Sequence, residues 1–264
     1  MTTSAFQETL ARENLLSLNY LIFSSHKTGT QTLNRTLNLN GLRSQHCHDL
    51  THLRLQHTDL TAFASSFARK NGRPLQILSV FREPVERYIS SFFQEHGTRP
   101  LRLGQIRHEH ETILHQYPLE RLRHTFQEAL ETRSIICYED SLHDICRQLG
   151  ISAASLAFDP QAPFTSNPLG NLDLHLMRFD LLFADPGTIL SNLTRQPITL
   201  HSANIADQKW YYGIYSAFKT SLTLPPALIH RLYASKQDLI RLFYPGREQN
   251  LLDQTLNRYA AKSV

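Results

Sequence analysis

The sequence predicts an α/β fold with a central, mainly parallel sheet, and three observations carry that expectation. Apolar runs at Leu18–Phe23, Leu75–Phe81 and Leu172–Phe179 have the length and composition of buried strands. The first two stop abruptly at small polar or basic residues and lead into segments with apolar side chains at helical spacing. Strands alternating with helices along one chain lie side by side and parallel, with helices on the faces.

The elements follow in order. Residues 1–18 read as a polar lead-in with a short helix over Phe6–Leu16, ahead of strand one at Leu18–Phe23. Leu33, Leu37 and Leu39 mark one face of a helix over Thr30–Leu39, and Asn40-Gly41 stops it. Leu42–Asp49 is expected as a second strand. Asp59–Lys70, with Phe63 and Phe67 on one side, is expected as a helix closed by Asn71-Gly72. Leu75–Phe81 runs into Arg82-Glu83-Pro84, and proline in a first turn starts a helix through about Gln94. Residues 95–132 are charged and histidine-rich, and are expected as a helical insertion on the sheet edge (His108–His115, Leu119–Glu131). Leu142, Ile145, Cys146 and Leu149 make 133–150 mostly helix, and 151–171, rich in Pro, Gly, Ser and Asn, reads as a loop. After the strand at Leu172–Phe179 come a short helix near Ile189–Leu193, helices over 204–219 and 226–243, and a last one over Arg247–Ala261.

Composition bounds the function. The chain has 264 residues, 41% of them hydrophobic and 19% charged, which is ordinary for one globular domain. Met1–Asn14 has no apolar core of a signal peptide, and no apolar stretch reaches the length of a membrane span. Three cysteines without a CxxC spacing fit a reducing compartment, so the expected location is cytoplasmic. The formal charge of +4 suits an anionic ligand. The Lys and Arg residues are scattered, which argues against a nucleic-acid partner.

The chemistry concentrates at Leu21–Leu33, where a strand ends in Ser24-Ser25-His26-Lys27-Thr28-Gly29-Thr30-Gln31-Thr32. Strand, small polar loop and helix in that order cradle phosphate. Loop amides and the first helical turn aim N–H groups at one spot, and the helix dipole favours an anion there. Lys27 adds a point charge, and Thr28, Thr30 and Thr32 add hydroxyls. The arrangement implies a P-loop-like, three-layer fold, yet G-x-x-x-x-G-K-[ST] is absent because the lysine precedes the single glycine. A nucleotide hydrolase also places an aspartate at the end of a neighbouring strand for magnesium. Here that strand ends in Arg82, with Ser90 about two helical turns further on. Two anion sites, the loop and Arg82 with Ser90, describe a nucleotide phosphorylated at both 5′ and 3′ positions.

His26-Lys27-Thr28-Gly29-Thr30-Gln31-Thr32 resembles the 5′-phosphosulfate loop of sulfotransferases that use 3′-phosphoadenosine 5′-phosphosulfate (PAPS). Phe81-Arg82-Glu83-Pro84 through Ser90-Ser91-Phe92 resembles their 3′-phosphate motif. Ala206-Asp207-Gln208-Lys209-Trp210-Tyr211-Tyr212 resembles a segment of bacterial capsular-polysaccharide sulfotransferases. The resemblance implies a single domain, with a nucleotide-binding core at 18–94, an insertion at 95–171 and a last core strand with C-terminal helices at 172–264. It implies sulfuryl transfer from PAPS to a hydroxyl or amine of a saccharide or small-molecule acceptor, without a metal. Lys27 would neutralise the bridging oxygen. Ser25 to Thr32 would hold the 5′-phosphate, with Gln31 among them, and Arg82 and Ser90 the 3′-phosphate; Lys209 would be a further nucleotide ligand or one position of an amphipathic helix with a core tryptophan.

For the base, period two places His46 and His48 on one face of the second strand's end, and a histidine accepts a proton near neutral pH. Uronyl 2-O-sulfotransferases are similar in carrying a His-Gly-His after the second strand. That implies His48 as base and His46 in support, with Cys47 in place of the glycine; His26 is the reserve. His46, His48 and His52 match no zinc spacing. A magnesium-dependent P-loop kinase and a catalytically silent nucleotide- or glycan-binding protein are the alternative functions.

Overall fold

Five strands form one sheet in the order β2-β1-β3-β5-β4. They are β1 (Tyr20–Phe23), β2 (Ser44–Cys47), β3 (Leu75–Phe81), β4 (Thr165–Leu169) and β5 (Leu172–Arg178). The structure is a computed structural model that describes residues 14–48, 59–102, 119–135, 138–201 and 211–260, with backbone alone over 95–102. The chain divides into two compact units, Met1–Arg82 with Glu139–Ala203 and Glu83–Tyr138 with Asn204–Val264.

The first unit holds the sheet. β1 pairs in parallel with β2 on one side and β3 on the other, and β3 pairs in parallel with β5 over seven residue pairs, Leu75↔Leu172 to Phe81↔Arg178. β4 closes the edge antiparallel to β5. The expected α/β class with a mainly parallel sheet is therefore what the chain adopts. Its helices are α1 (Thr30–Leu39) and α2 (Leu60–Asn71), then α5 (Ser141–Leu149), α6 (Phe179–Ala184) and α7 (Pro186–Thr194) in the later segment. Ile22, Leu33, Leu37, Leu78, Val80 and Met177 pack in one buried cluster, which joins the sheet to α1 and α7 through Ile189 and Leu190. Each such side chain contributes roughly 1.5–3 kcal/mol by leaving water.

Local chemistry explains the helix ends. Asp59 caps α2 by accepting the Ala62 N–H, and Gly72 closes it at φ 64°. Asp140 caps α5 and Gly150 closes it at φ 65°, so helix occupies only the second half of 133–150.

Two further expectations need correcting. The loop over 151–171 contains β4, in which Pro168 is tolerated because an edge strand has one side without a ladder. The second strand is shorter than Leu42–Asp49: it ends at Cys47, and His48 lies just beyond it. Asp49 and His52 lie outside the described residues.

The second unit is helical, with α3 (Pro84–Arg102), α4 (Leu119–Glu131), α8 (Tyr212–Ser221), α9 (Pro226–Ala234), α10 (Gln237–Phe243) and α11 (Glu248–Tyr259). The helix expected over 226–243 is thus two, parted at Ser235-Lys236. Phe92, Phe93, Phe126 and Phe218 form its aromatic centre, with ring centroids 5.0–5.9 Å apart. Glu83 opens α3 by accepting the N–H groups of Val85 and Glu86, and Tyr233 donates its hydroxyl to the same carboxylate. Burial pushes the Glu83 carboxyl above the ordinary range. Among the described residues no helix is long and apolar enough to cross a membrane.

Candidate functional site

The chain runs from β1 to β2 on one side, then returns past β1 to β3 on the other. Strand order therefore reverses between β1 and β3. In open parallel sheets ligands bind outside the carboxyl ends of the strands at such a point. The residues at those two ends are the Ser24–Thr32 loop and Arg82.

The β1–β3 ladder covers Leu21↔Ile77 and Ile22↔Leu78. Past it the fully buried Ser24 uses its side chain in place of backbone. Its hydroxyl accepts the Val80 N–H at 3.0 Å and lies 2.9 Å from the Val80 carbonyl and 2.8 Å from the Thr28 hydroxyl. Thr28 in turn donates to the Ser25 carbonyl at 2.7 Å and closes the loop on itself. Ser25 donates to the Asp140 carboxylate at 2.9 Å and accepts the Ser141 N–H at 2.9 Å. The hydroxyls of Ser25 and Thr28 brace the loop through these bonds.

Lys27 and Gly29 both take left-handed backbone, at φ 66° and φ 80°. For lysine that costs on the order of 1–2 kcal/mol, and Arg82 offsets it by donating Nη1–H to the Lys27 carbonyl at 3.0 Å. The Arg82 guanidinium also lies 4.5 Å from the centre of the Phe179 ring. Gly29 is required twice over: beyond its φ, a Cβ there would lie 2.2 Å from Cζ of Phe183, whose ring packs on Phe179 at 4.6 Å.

After Gly29 the chain enters α1, whose first turn carries no acidic residue and whose N-cap has no side-chain bond. Helix geometry leaves first-turn N–H groups without intrahelical acceptors, so this end is electropositive. Thr30 and Thr32 are buried on α1 and Gln31 is exposed. Lys27 and Arg82 are half-buried. One helix start and two cations from adjacent strand ends make an anion-binding constellation.

Three histidines stand beside it. The His26 and His48 rings lie with centroids 3.5 Å apart, and His46 is 5.6 Å from His48. His46 and His48 thus share a side, as the period-two reading expects. The His48 ring approaches the Ser24 carbonyl with Nδ1 at 2.6 Å. A carbonyl only accepts, so Nδ1 carries the proton and the lone pair of the neutral ring sits on Nε2. Among the described residues no three His, Cys, Asp or Glu side chains group as metal ligands.

Ser90 is a half-buried position of α3 in the second unit, and Lys209 lies outside the described residues. Sequence reasoning missed Ser24, Ser141, Phe179 and Phe183. Asp140 belongs with them, since its side chain is buried and bonded to Ser25. The available signal was modest: a helix cap before an apolar period at Asp140 and a small residue directly after a buried strand at Ser24.

No family model, no curated protein and no solved structure matches this chain.

Proposed function

We propose that the chain is a sulfotransferase on a P-loop-like, three-layer framework, moving the sulfuryl group of PAPS to a hydroxyl or amine acceptor, a saccharide foremost. The observation that carries the reading is the pairing of Lys27 and Arg82 at neighbouring strand ends, linked through the Lys27 carbonyl. A magnesium-dependent kinase needs a carboxylate where Arg82 stands. Two cations and a helix start suit a ligand with two phosphate groups and no metal.

In this reading the α1 first-turn amides receive the 5′-phosphate and Arg82 the 3′-phosphate. Lys27 neutralises the oxygen that bridges sulfate to the leaving phosphate as the S–O bond breaks. His48 takes the acceptor proton on Nε2 while the acceptor oxygen or nitrogen bonds to sulfur, and its Nδ1–H stays on the Ser24 carbonyl. The products are the sulfated acceptor and adenosine 3′,5′-bisphosphate. The buried cysteines Cys47 and Cys146 suit a reducing cytoplasm.

Calorimetry tests the nucleotide. Adenosine 3′,5′-bisphosphate should bind without magnesium, and a preference for ATP with magnesium would sink the reading. Labelled sulfate from PAPS should then pass to chemically desulfated heparin or chondroitin, and Lys27→Ala should abolish the transfer.

A further inference from the structure

Ser141, the first residue of α5, makes two bonds that end on different parts of the site. Its hydroxyl donates to the His48 carbonyl at 2.8 Å, and its N–H donates to the Ser25 hydroxyl at 2.9 Å. Ser24, next to Ser25, accepts the Nδ1–H of the His48 ring at 2.6 Å. The four residues close a circuit: ring to Ser24 carbonyl, peptide to Ser25, Ser25 hydroxyl to Ser141 amide, Ser141 hydroxyl back to the His48 carbonyl. Asp140 fixes the far side by accepting the Ser25 hydroxyl proton at 2.9 Å, while its carboxylate caps α5 at Leu142. Ser24, Ser25, Asp140 and Ser141 are all buried, so water is a poor substitute for these partners.

His48 lies just past the end of β2 and outside the β1–β2 register, which closes at Phe23↔Cys47. One bond to the ring and one to the carbonyl of the same residue hold both the ring's tautomer and its position. Losing the carbonyl bond removes one of these two ties and loosens the register of the ring against Ser24. We propose that Ser141 is a positioning residue that holds His48 in its Nδ1–H tautomer and registers it against the β1 loop. The assignment of a role in turnover rests on His48 being the base; the positioning itself does not.

The two parts separate experimentally. With ring-¹⁵N histidine in the full chain, which has 14 histidines, the His48 signals are assigned by their loss in His48→Gln. In the wild-type protein the pyridine-type shift should fall on Nε2. In Ser141→Ala the two ring shifts should move toward each other, and Ser141→Thr, which keeps the hydroxyl, should restore them. Adenosine 3′,5′-bisphosphate should bind Ser141→Ala with unchanged Kd, because alanine retains the N–H that holds Ser25. Sulfate transfer should fall by on the order of ten- to a hundred-fold in Ser141→Ala, as for a misplaced catalytic group. His48 shifts identical in wild type and Ser141→Ala overturn the proposal. So does a loss of bisphosphate binding in step with the shift change, which makes Ser141 a general brace. If wild-type protein binds no bisphosphate, the sulfotransferase reading fails, and the ring shifts alone still decide what Ser141 does.

Discussion

Arg82 donates a guanidinium N–H to the carbonyl of Lys27 at 3.0 Å, so the cation at the end of β3 sets the backbone of the cation at the end of β1. Lys27 sits at φ 66°, a conformation that a lysine adopts only when its surroundings hold it there. The two charges are therefore not independent contributors to an anion site. Replacing one changes the path of the loop that carries the other.

Arg82→Ala should weaken binding of adenosine 3′,5′-bisphosphate by about 1.5–3 kcal/mol, the range for a hydrogen bond to a charged group. Arg82→Lys should rescue little. An ammonium lacks the planar face that lies over Phe179 at 4.5 Å. Calorimetry on the two variants decides; full rescue by lysine would reduce Arg82 to a point charge.

Gly29→Ala should destabilise the protein by roughly 1–3 kcal/mol, combining left-handed strain with overpacking. The Cβ would lie 2.2 Å from Phe183 Cζ, and that ring packs against Phe179 at a tilt of 41°. Gly29→Ala with Phe183→Ala should recover the steric part and leave the backbone part. Chemical denaturation of the four proteins in that cycle measures both.

Much of this site was legible from local pattern. A buried apolar run ending in small polar residues located β1 and its loop, and a second run ending in Arg82 located β3. The adjacency of those strands follows from α/β winding. What stayed hidden depends on contacts far apart in sequence. Ser25 meets Asp140 across 115 positions, and nothing in either neighbourhood announces the other. β4 was hidden for a related reason: Thr165–Leu169 has Asn167 and Pro168 and acquires strand structure only by pairing with β5. The bond from the Thr28 hydroxyl to the Ser25 carbonyl was hidden too, since it depends on the path of the loop and not on its composition.

His175 gives stability a definite dependence on pH. It lies in β5 with Nε2 2.8 Å from the Gln76 side-chain oxygen and Nδ1 2.8 Å from the Ser166 hydroxyl. Burial lowers its pKa from 6.5, more than nearby Asp173 raises it. The unfolded chain then binds the proton more readily than the folded one, so stability rises with pH from the folded pKa up to about 6.5. The penalty is fully present below the folded value and absent above 6.5. His175→Gln should flatten this part of the profile in urea unfolding between about pH 5 and pH 7.5; an unchanged slope would remove His175 from the acid sensitivity.

Glu86 should matter to the second unit more than a surface carboxylate does. It takes Lys219 at 2.6 Å, Arg258 at 2.9 Å and the Tyr259 hydroxyl at 2.6 Å. Arg258 is 64% exposed, so that pair adds little. Tyr259 is buried, and its hydroxyl pKa is raised by burial and by this carboxylate, so it remains a donor at neutral pH. Glu86→Ala should cost about 1–3 kcal/mol, mostly by orphaning that hydroxyl. Adding Tyr259→Phe to Glu86→Ala should return part of the loss in thermal unfolding, whereas adding Arg258→Ala should not.

The choice between His48 and His26 as the base turns on one bond. Both rings are beside the loop and in contact at 3.5 Å, so proximity alone does not separate them. His48 donates Nδ1–H to the Ser24 carbonyl, which leaves Nε2 as the basic nitrogen and fixes the ring through the residue that also joins β1 to β3. A base held in one tautomer by a backbone carbonyl is ready to accept a proton without rearrangement. His48→Gln should therefore lower sulfate transfer from PAPS by about 10²–10⁴-fold, the usual contribution of general base catalysis, and leave the Kd for adenosine 3′,5′-bisphosphate unchanged. His26→Gln should lower the rate far less, since its loss removes a packing neighbour of the proposed base and not that base itself. If His26→Gln shows the larger loss and His48→Gln turns over normally, the roles are reversed. The Ser24 bond then serves only to tie the end of β2 to β1.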